Sequence, residues 1–149
     1  MANSSPTITD CTFDGNTAGS GGGGLSNYPS GHSTVIRCIF TGNTAGTGGG
    51  AANSSSSFPS YDQCEFTGNT ATSGGNPPAA GAIYSNTKSN PTIANTLICS
   101  NIQGGTTQVY GDYQDGSGNC ITQNCDSDND GTLDCNDGCP NDPRKTDPG

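Results

Sequence analysis

Apolar residues recur along this chain at a long, nearly fixed period. Residues 6–18 read PTITDCTFDGNTA, residues 33–45 STVIRCIFTGNTA, and residues 59–71 PSYDQCEFTGNTA. A weaker copy, PTIANTLICSNIQ, occupies 91–103. The copies align Phe13, Phe40, Phe66 and Ile98, spaced 27, 26 and 32 residues apart. Within each of the first three copies Cys and Phe stand two apart, so on a strand both face the same way. In Cys38-Ile39-Phe40 that face is inward. Self-similarity at this period predicts a solenoid of short strands, in which equivalent side chains stack as ladders about 4.8 Å apart. One predicted ladder is Cys11, Cys38, Cys64 and Thr96; a second is the Phe/Ile column. A third, Asn16, Asn43, Asn69 and Asn101, fits a turn where Asn bonds the next coil's backbone and tolerates unusual φ.

A second motif follows each of the first three copies: GGGLSN at 22–27, GGGAAN at 48–53 and GAIYSN at 81–86. Its Gly runs predict a tight bend with few side chains. Ser73-Gly74-Gly75-Asn76-Pro77-Pro78 reads as an inserted loop that lengthens the third interval. The decay of the fourth copy predicts a terminal, capping coil. Asp10 and Arg37 share an outward column and are placed to pair.

Composition agrees with a repeat fold rather than a conventional core. The 149 residues are only 28% apolar and 11% charged, with 24 Gly and no Trp. Ordinary domains run at about 45–50% apolar. An immunoglobulin-like sandwich does not repeat at 26 residues. In-phase Cys-x-Phe-x-x-Asn over three units is unlike a disordered Gly/Ser linker.

FDGN, FTGN and FTGN, each paired with GGGL, GGGA or GAIY, resemble the FxxN and GGAI half-motifs of polymorphic outer-membrane-protein repeats. The resemblance covers about residues 6–103. It implies the β-helical stalk of a surface-exposed adhesin. The expected fold is all-β: a right-handed parallel β-helix of about four coils, residues 1–120, with an irregular calcium-binding loop in residues 121–149.

Charge singles out that tail. The net charge is −9, and residues 121–149 hold seven acids against two bases. An acidic chain repels nucleic acid, and clustered acids suggest a cation. Residues 126–137, DSDNDGTLDCND, place Asp126, Asp128, Asp130, Asp134 and Asp137 at calcium-loop positions 1, 3, 5, 9 and 12. Gly131 takes position 6, and Thr132 offers a backbone carbonyl at position 7. Asp137 stands where the bidentate Glu is usual, which shortens its reach. No amphipathic helix flanks the loop; Cys135, Cys139-Pro140 and Asp142-Pro143 do. Residues 124–143 resemble the thrombospondin type 3 repeat, which wraps calcium in Asp side chains and pins its loops with disulfides. Carried over, the five aspartates are the ligands. That family strings several repeats together, so the parent protein is expected to continue beyond Gly149.

Eight Cys point to an oxidising compartment and an extracellular or cell-surface location. Zinc is disfavoured by a single His, His32, and no CxxC pair. Met1–Ser5 lacks a signal-peptide apolar region, so the chain reads as a mature segment or excised piece, and no run is long enough to span a membrane. Cys120, Cys125, Cys135 and Cys139 allow three pairings; Cys120–Cys125 is a short-range option, and Cys99 is placed to reach Cys120. The Cys ladder holds either one disulfide or buried thiols. Its acids are scattered and His32 has no evident partner, so no catalytic residue is expected. The function expected is a non-catalytic structural or adhesive module. It would self-associate through its ends, where open strand edges template pairing, or bind other surface proteins or glycans. Alternatives are a fragment of a secreted polysaccharide lyase or hydrolase, or a glycan-binding β-helix using Tyr28, Tyr61, Tyr84, Tyr110 and Tyr113.

Overall fold

The computed structural model describes residues 4–73, 79–102, 108–137, 141 and 144. Among them every regular element is a strand of two or three residues. The first coil contains β1 (Thr7–Thr9), β2 (Thr12–Asp14) and β3 (Leu25–Asn27). The second contains β4 (Thr34–Ile36), β5 (Ile39–Thr41), β6 (Thr44–Ala45) and β7 (Ala51–Asn53). In the third are β8 (Ser60–Asp62), β9 (Glu65–Thr67), β10 (Thr70–Ala71) and β11 (Ile83–Ser85). The fourth has β12 (Thr92–Ala94), β13 (Leu97–Cys99) and β14 (Val109–Tyr110). A partial fifth coil, β15 (Gln114–Asp115) and β16 (Cys120–Ile121), lies on the fourth.

Every pairing is parallel and joins one coil to the next. The sheets run β1-β4-β8-β12-β15, β2-β5-β9-β13-β16 and β3-β7-β11-β14, with a short β6-β10 pair between the last two. The molecule is thus a parallel β-solenoid of about four coils. The fourth coil is not terminal, as the decay of its motif had suggested. Its departures from the motif, Thr96 and Ile98, are both buried and are covered by the next coil.

Three ladders fill the core. Phe13, Phe40, Phe66, Ile98 and Ile121 stand in register. The three Phe rings stack with centroids 4.6 and 4.4 Å apart and nearly parallel planes. Ile8, Val35, Tyr61 and Ile93 form the second ladder; Leu25, Ala51, Ile83 and Val109 form the third. Tyr61 is therefore an interior residue, 1% exposed, and not a surface aromatic. Its phenol donates to Asn53 Oδ1 at 2.9 Å, which is how a large hydroxylated ring is accommodated inside.

The Asn column behaves as expected in its bonding. Asn43 Oδ1 accepts from Asn16 N and Nδ2, Asn69 Oδ1 from Asn43, and Asn101 Oδ1 from Asn69, all at 2.8–3.0 Å. Its backbone is not in the left-handed region, however. That conformation falls on the preceding residue, Gly15, Gly42, Gly68 and Ser100, and on Asp10, Arg37, Gln63 and Asn95 at the other corner. The corner kink is thereby separated from the side chain that secures it. Asp10 and Arg37 do pair, Nε to Oδ1 at 2.7 Å and Nη2 to Oδ2 at 2.8 Å.

The Gly-rich motif needs correction by one residue. Gly48 bridges Ala80, and Ala51, Ala52 and Asn53 pair with Ile83, Tyr84 and Ser85. The third copy thus starts at Ala80, not Gly81. A slip of one residue would reverse every side chain, burying Tyr84 and expelling Ile83, which is 0% exposed. The glycines are required by close approach of coils: a Cβ at Gly49 would lie 2.2 Å from the Gly81 oxygen and 2.6 Å from Thr70 N. Of the inserted loop, residues 74–78 lie outside the described residues; the register resumes in phase beyond it.

Candidate functional site

Beyond β16 the chain stays on the solenoid for a few residues. Thr122 N donates to Ile98 O, and Ser100 N donates to Gln123 O, both at 3.0 Å. Two disulfides then hold the acidic segment. Cys99 in the fourth coil bonds Cys125, with Cα atoms 5.1 Å apart, and Cys120 bonds Cys135. Neither the short-range Cys120–Cys125 link nor a Cys99–Cys120 link forms. The reason is register: β16 sets Cys120 beside Leu97, two residues along the strand from Cys99. Asp134 N donates to Cys125 O at 2.9 Å and closes the loop.

Inside the loop the carboxylates organise the backbone. Asp126 accepts from Asn129 N and Gly131 N at 2.7 and 2.9 Å. Asn129 and Gly131 have φ of 60° and 93°, so Gly131 supplies a conformation that disfavours other residues. Asp128 accepts from Asp130 N, and Asp130 accepts from Thr132 N. Asp126, Asp128 and Asp130 each bring a carboxylate oxygen within 4.8 Å of the other two. Asp134 is directed elsewhere, taking Ser127 N and Oγ at 2.7 Å. Asp137 is buried. Of the six residues singled out by spacing, the structure gathers three; Thr132 enters through its N–H, and Asp134 braces the loop. Cys139, Pro140, Asp142 and Pro143 lie outside the described residues.

Of the three, Asp128 has the most perturbed surroundings. Asp128 is held above the ordinary carboxyl value, first by desolvation and then by Asp130, Asp137 and Asp126. Its Oδ2 is buried without a hydrogen-bond partner. Such a donor set, all carboxylate oxygen with one oxygen unsatisfied, fits a hard divalent cation.

The remaining candidates are spread out. Tyr84 and Tyr110 stack outward at 5.7 Å, while Tyr28 and Tyr113 are separately exposed. His32 Nδ1 lies 2.8 Å from Ser30 O, and its ring packs 5.4 Å from Phe58. Among the described residues neither contact is a carboxylate. A feature not singled out from sequence is a second interior polar ladder: Asn27 Nδ2 donates to Asn53 Oδ1, and Asn53 Nδ2 to Ser85 Oγ. The recurrence of Asn at the end of GGGLSN and GGGAAN was its signal.

Compared with known families, residues 10–28 and 37–55 match the Chlamydia polymorphic membrane protein repeat. Each matched span begins at a left-handed corner residue, Asp10 or Arg37, and runs through the Phe and Asn columns and the Gly bend past β3 or β7. Against curated proteins and solved structures the chain has no match. Two segments similar to the polymorphic membrane protein repeat thus lie on consecutive coils of a parallel β-solenoid.

Proposed function

We propose that this chain is a non-catalytic, adhesin-like module of a cell surface, whose solenoid serves as a rigid spacer and whose tail is set by calcium. The observation that carries the reading is the coincidence of the matched repeats with the coils themselves. The repeat family directs the chain to an outer-membrane or surface setting, and two disulfides suit an oxidising one. No helix among the described residues is long and apolar enough to cross a membrane.

In this reading Asp126, Asp128 and Asp130, three of the five aspartates that the thrombospondin type 3 resemblance implies as ligands, hold the ion, with the Asp137 charge acting on Asp128. Calcium would supply positive charge among these close carboxylates. Thr132 and Asp134 complete the proposed set by shaping the loop.

The first coil supports end-to-end association. Ile8, Phe13 and Leu25 are only partly buried, whereas Val35, Phe40 and Ala51 one coil above are 0% exposed. Among the described residues its strands have one neighbour instead of two, an edge of the kind that templates pairing.

Electron microscopy of the purified chain, with calcium and with chelator, tests these parts separately. Filaments with an axial repeat of roughly 19 Å, four coils at the strand spacing, support stacking; their loss in chelator places the ion at the junction. Single particles at high concentration in calcium would remove the self-association part and leave the spacer reading to a search for surface ligands.

A further inference from the structure

Three thiols stack at the entry to the second sheet. Cys11, Cys38 and Cys64 immediately precede β2, β5 and β9, whose registers make them neighbours coil to coil. Each buried thiol touches its own coil and the coil before it: Cys38 Sγ lies 3.3 Å from Ile36 O and 3.6 Å from Ile8 O, and Cys64 Sγ lies 3.4 Å from Asp62 O and 3.5 Å from Val35 O. Cys11 is exposed, while Cys38 and Cys64 are buried. At the other end of the stack, Cys99–Cys125 already joins successive layers across a sequence separation of 26. Among the described residues the first coil has no such clamp, although it is the coil with the least buried core residues.

We propose that Cys11 and Cys38 form a disulfide that staples the first coil to the second, with Cys64 remaining a buried thiol. Neighbouring parallel strands stand about 4.8 Å apart, within the Cα separation that disulfides span. The oxidant is a small-molecule disulfide. The Cys11 thiolate attacks it, its S–S bond breaks, and one thiol departs with the proton Cys11 gave up. Cys38 then attacks Cys11 Sγ of the mixed disulfide and expels the second thiol, which takes the Cys38 proton. Two protein thiols are oxidised and one small disulfide is reduced to two thiols. Order follows exposure: only Cys11 meets the reagent, and burial holds the Cys38 thiol up and slows the second step. A Cys38–Cys64 bond has no accessible thiol to begin from.

The whole chain is treated with glutathione disulfide, quenched, unfolded, alkylated and mapped by mass spectrometry. The expected result is a peptide linked through Cys11 and Cys38, with Cys64 recovered alkylated. In Cys38→Ser the reaction stops at a stable glutathione adduct on Cys11, and in Cys11→Ser Cys38 stays reduced. A persistent adduct on Cys11 of the unaltered chain, a Cys11–Cys11 dimer, or two unreacted thiols would each overturn the proposal.

Discussion

Asn69 holds Asn43 through one atom: its Oδ1 accepts both the backbone N–H and the side-chain amide of Asn43, at 3.0 and 2.9 Å. Asn69 in turn donates to Phe40 O and to Asn101. The interior amides therefore serve three coils at once, while the Asn16 side-chain amide, in the first coil, donates to Asn43. Asn69→Ala strands several buried groups and should cost about 3 kcal/mol or more, given about 1–3 kcal/mol for each unsatisfied group. Asn16→Ala should cost about 1 kcal/mol. Urea unfolding midpoints of the two variants check the contrast, and equal losses would show that the ladder does not depend on position.

Two glycines separate conformational need from steric need. Gly15 has φ +64° with open space around a would-be Cβ, so Gly15→Ala meets only backbone strain, about 1 kcal/mol. Gly49→Ala drives a methyl group into the backbone of the next coil. There the coils must part, and a loss of about 3 kcal/mol is expected. Thermal unfolding of both variants in one buffer decides the order.

Alkaline pH should loosen the core in a defined window. Burial pushes the Cys64 thiol up to about 11 from an ordinary 9.0. Below pH 9 both folded and unfolded chains keep the proton, so nothing is lost. Between 9 and 11 only the unfolded chain ionises, and stability falls as pH rises, by about 2–3 kcal/mol for a shift of this size. Burial moves the Tyr61 phenol upward as well and steepens the decline at the high end. Cys64→Ala should start from a lower stability yet show a flatter profile from pH 9 to 11; an unchanged slope would assign the loss elsewhere.

Acid acts on the outer face. The Arg37 guanidinium bonded to Asp10 holds that carboxyl below its ordinary 3.8. Its contribution is present above that value and disappears as pH falls through the lower, folded one. Since both side chains are more than half exposed, the effect is small and salt-sensitive. Asp10→Asn should flatten the stability profile only below about pH 4, as followed by circular dichroism in low salt.

Calcium titration by calorimetry addresses the tail. Asp128→Asn removes one of the three clustered carboxylates and the one with the buried, unbonded oxygen. Affinity should fall about tenfold or more, while the chain without calcium becomes slightly more stable because repulsion is relieved. The absence of any binding heat with the unaltered chain would remove the metal from the proposed function.

Much of this fold was legible because each coil repeats a side-chain requirement. Phe40 and Phe66 had to coincide once FTGN recurred, and the interior followed. Tyr61 was legible too, since the same alignment sets it in the column of Ile8, Val35 and Ile93; reading it as an exposed aromatic ignored that column. Ala80 was harder. In Ala79-Ala80-Gly81-Ala82, small residues leave the register open until Ile83 and Tyr84 are assigned inside and outside. The disulfides were out of reach, because Cys125 meets Cys99 only through the path of β16. In the tail, spacing named six residues with equal weight, whereas backbone bonding distinguishes the gathered Asp126, Asp128 and Asp130 from the bracing Asp134.

Between the Phe column and the next inward position the second coil uses 11 residues, Phe40 to Ala51, and the third uses 17, Phe66 to Ile83, yet both pairs stay in register. Circumference is thus free at this corner while vertical alignment is not. A foreign peptide grafted after Ser73 would leave the register of the coils unshifted, and successive coils could bear grafts of different lengths. The length of a coil can thus vary without rewriting its frame.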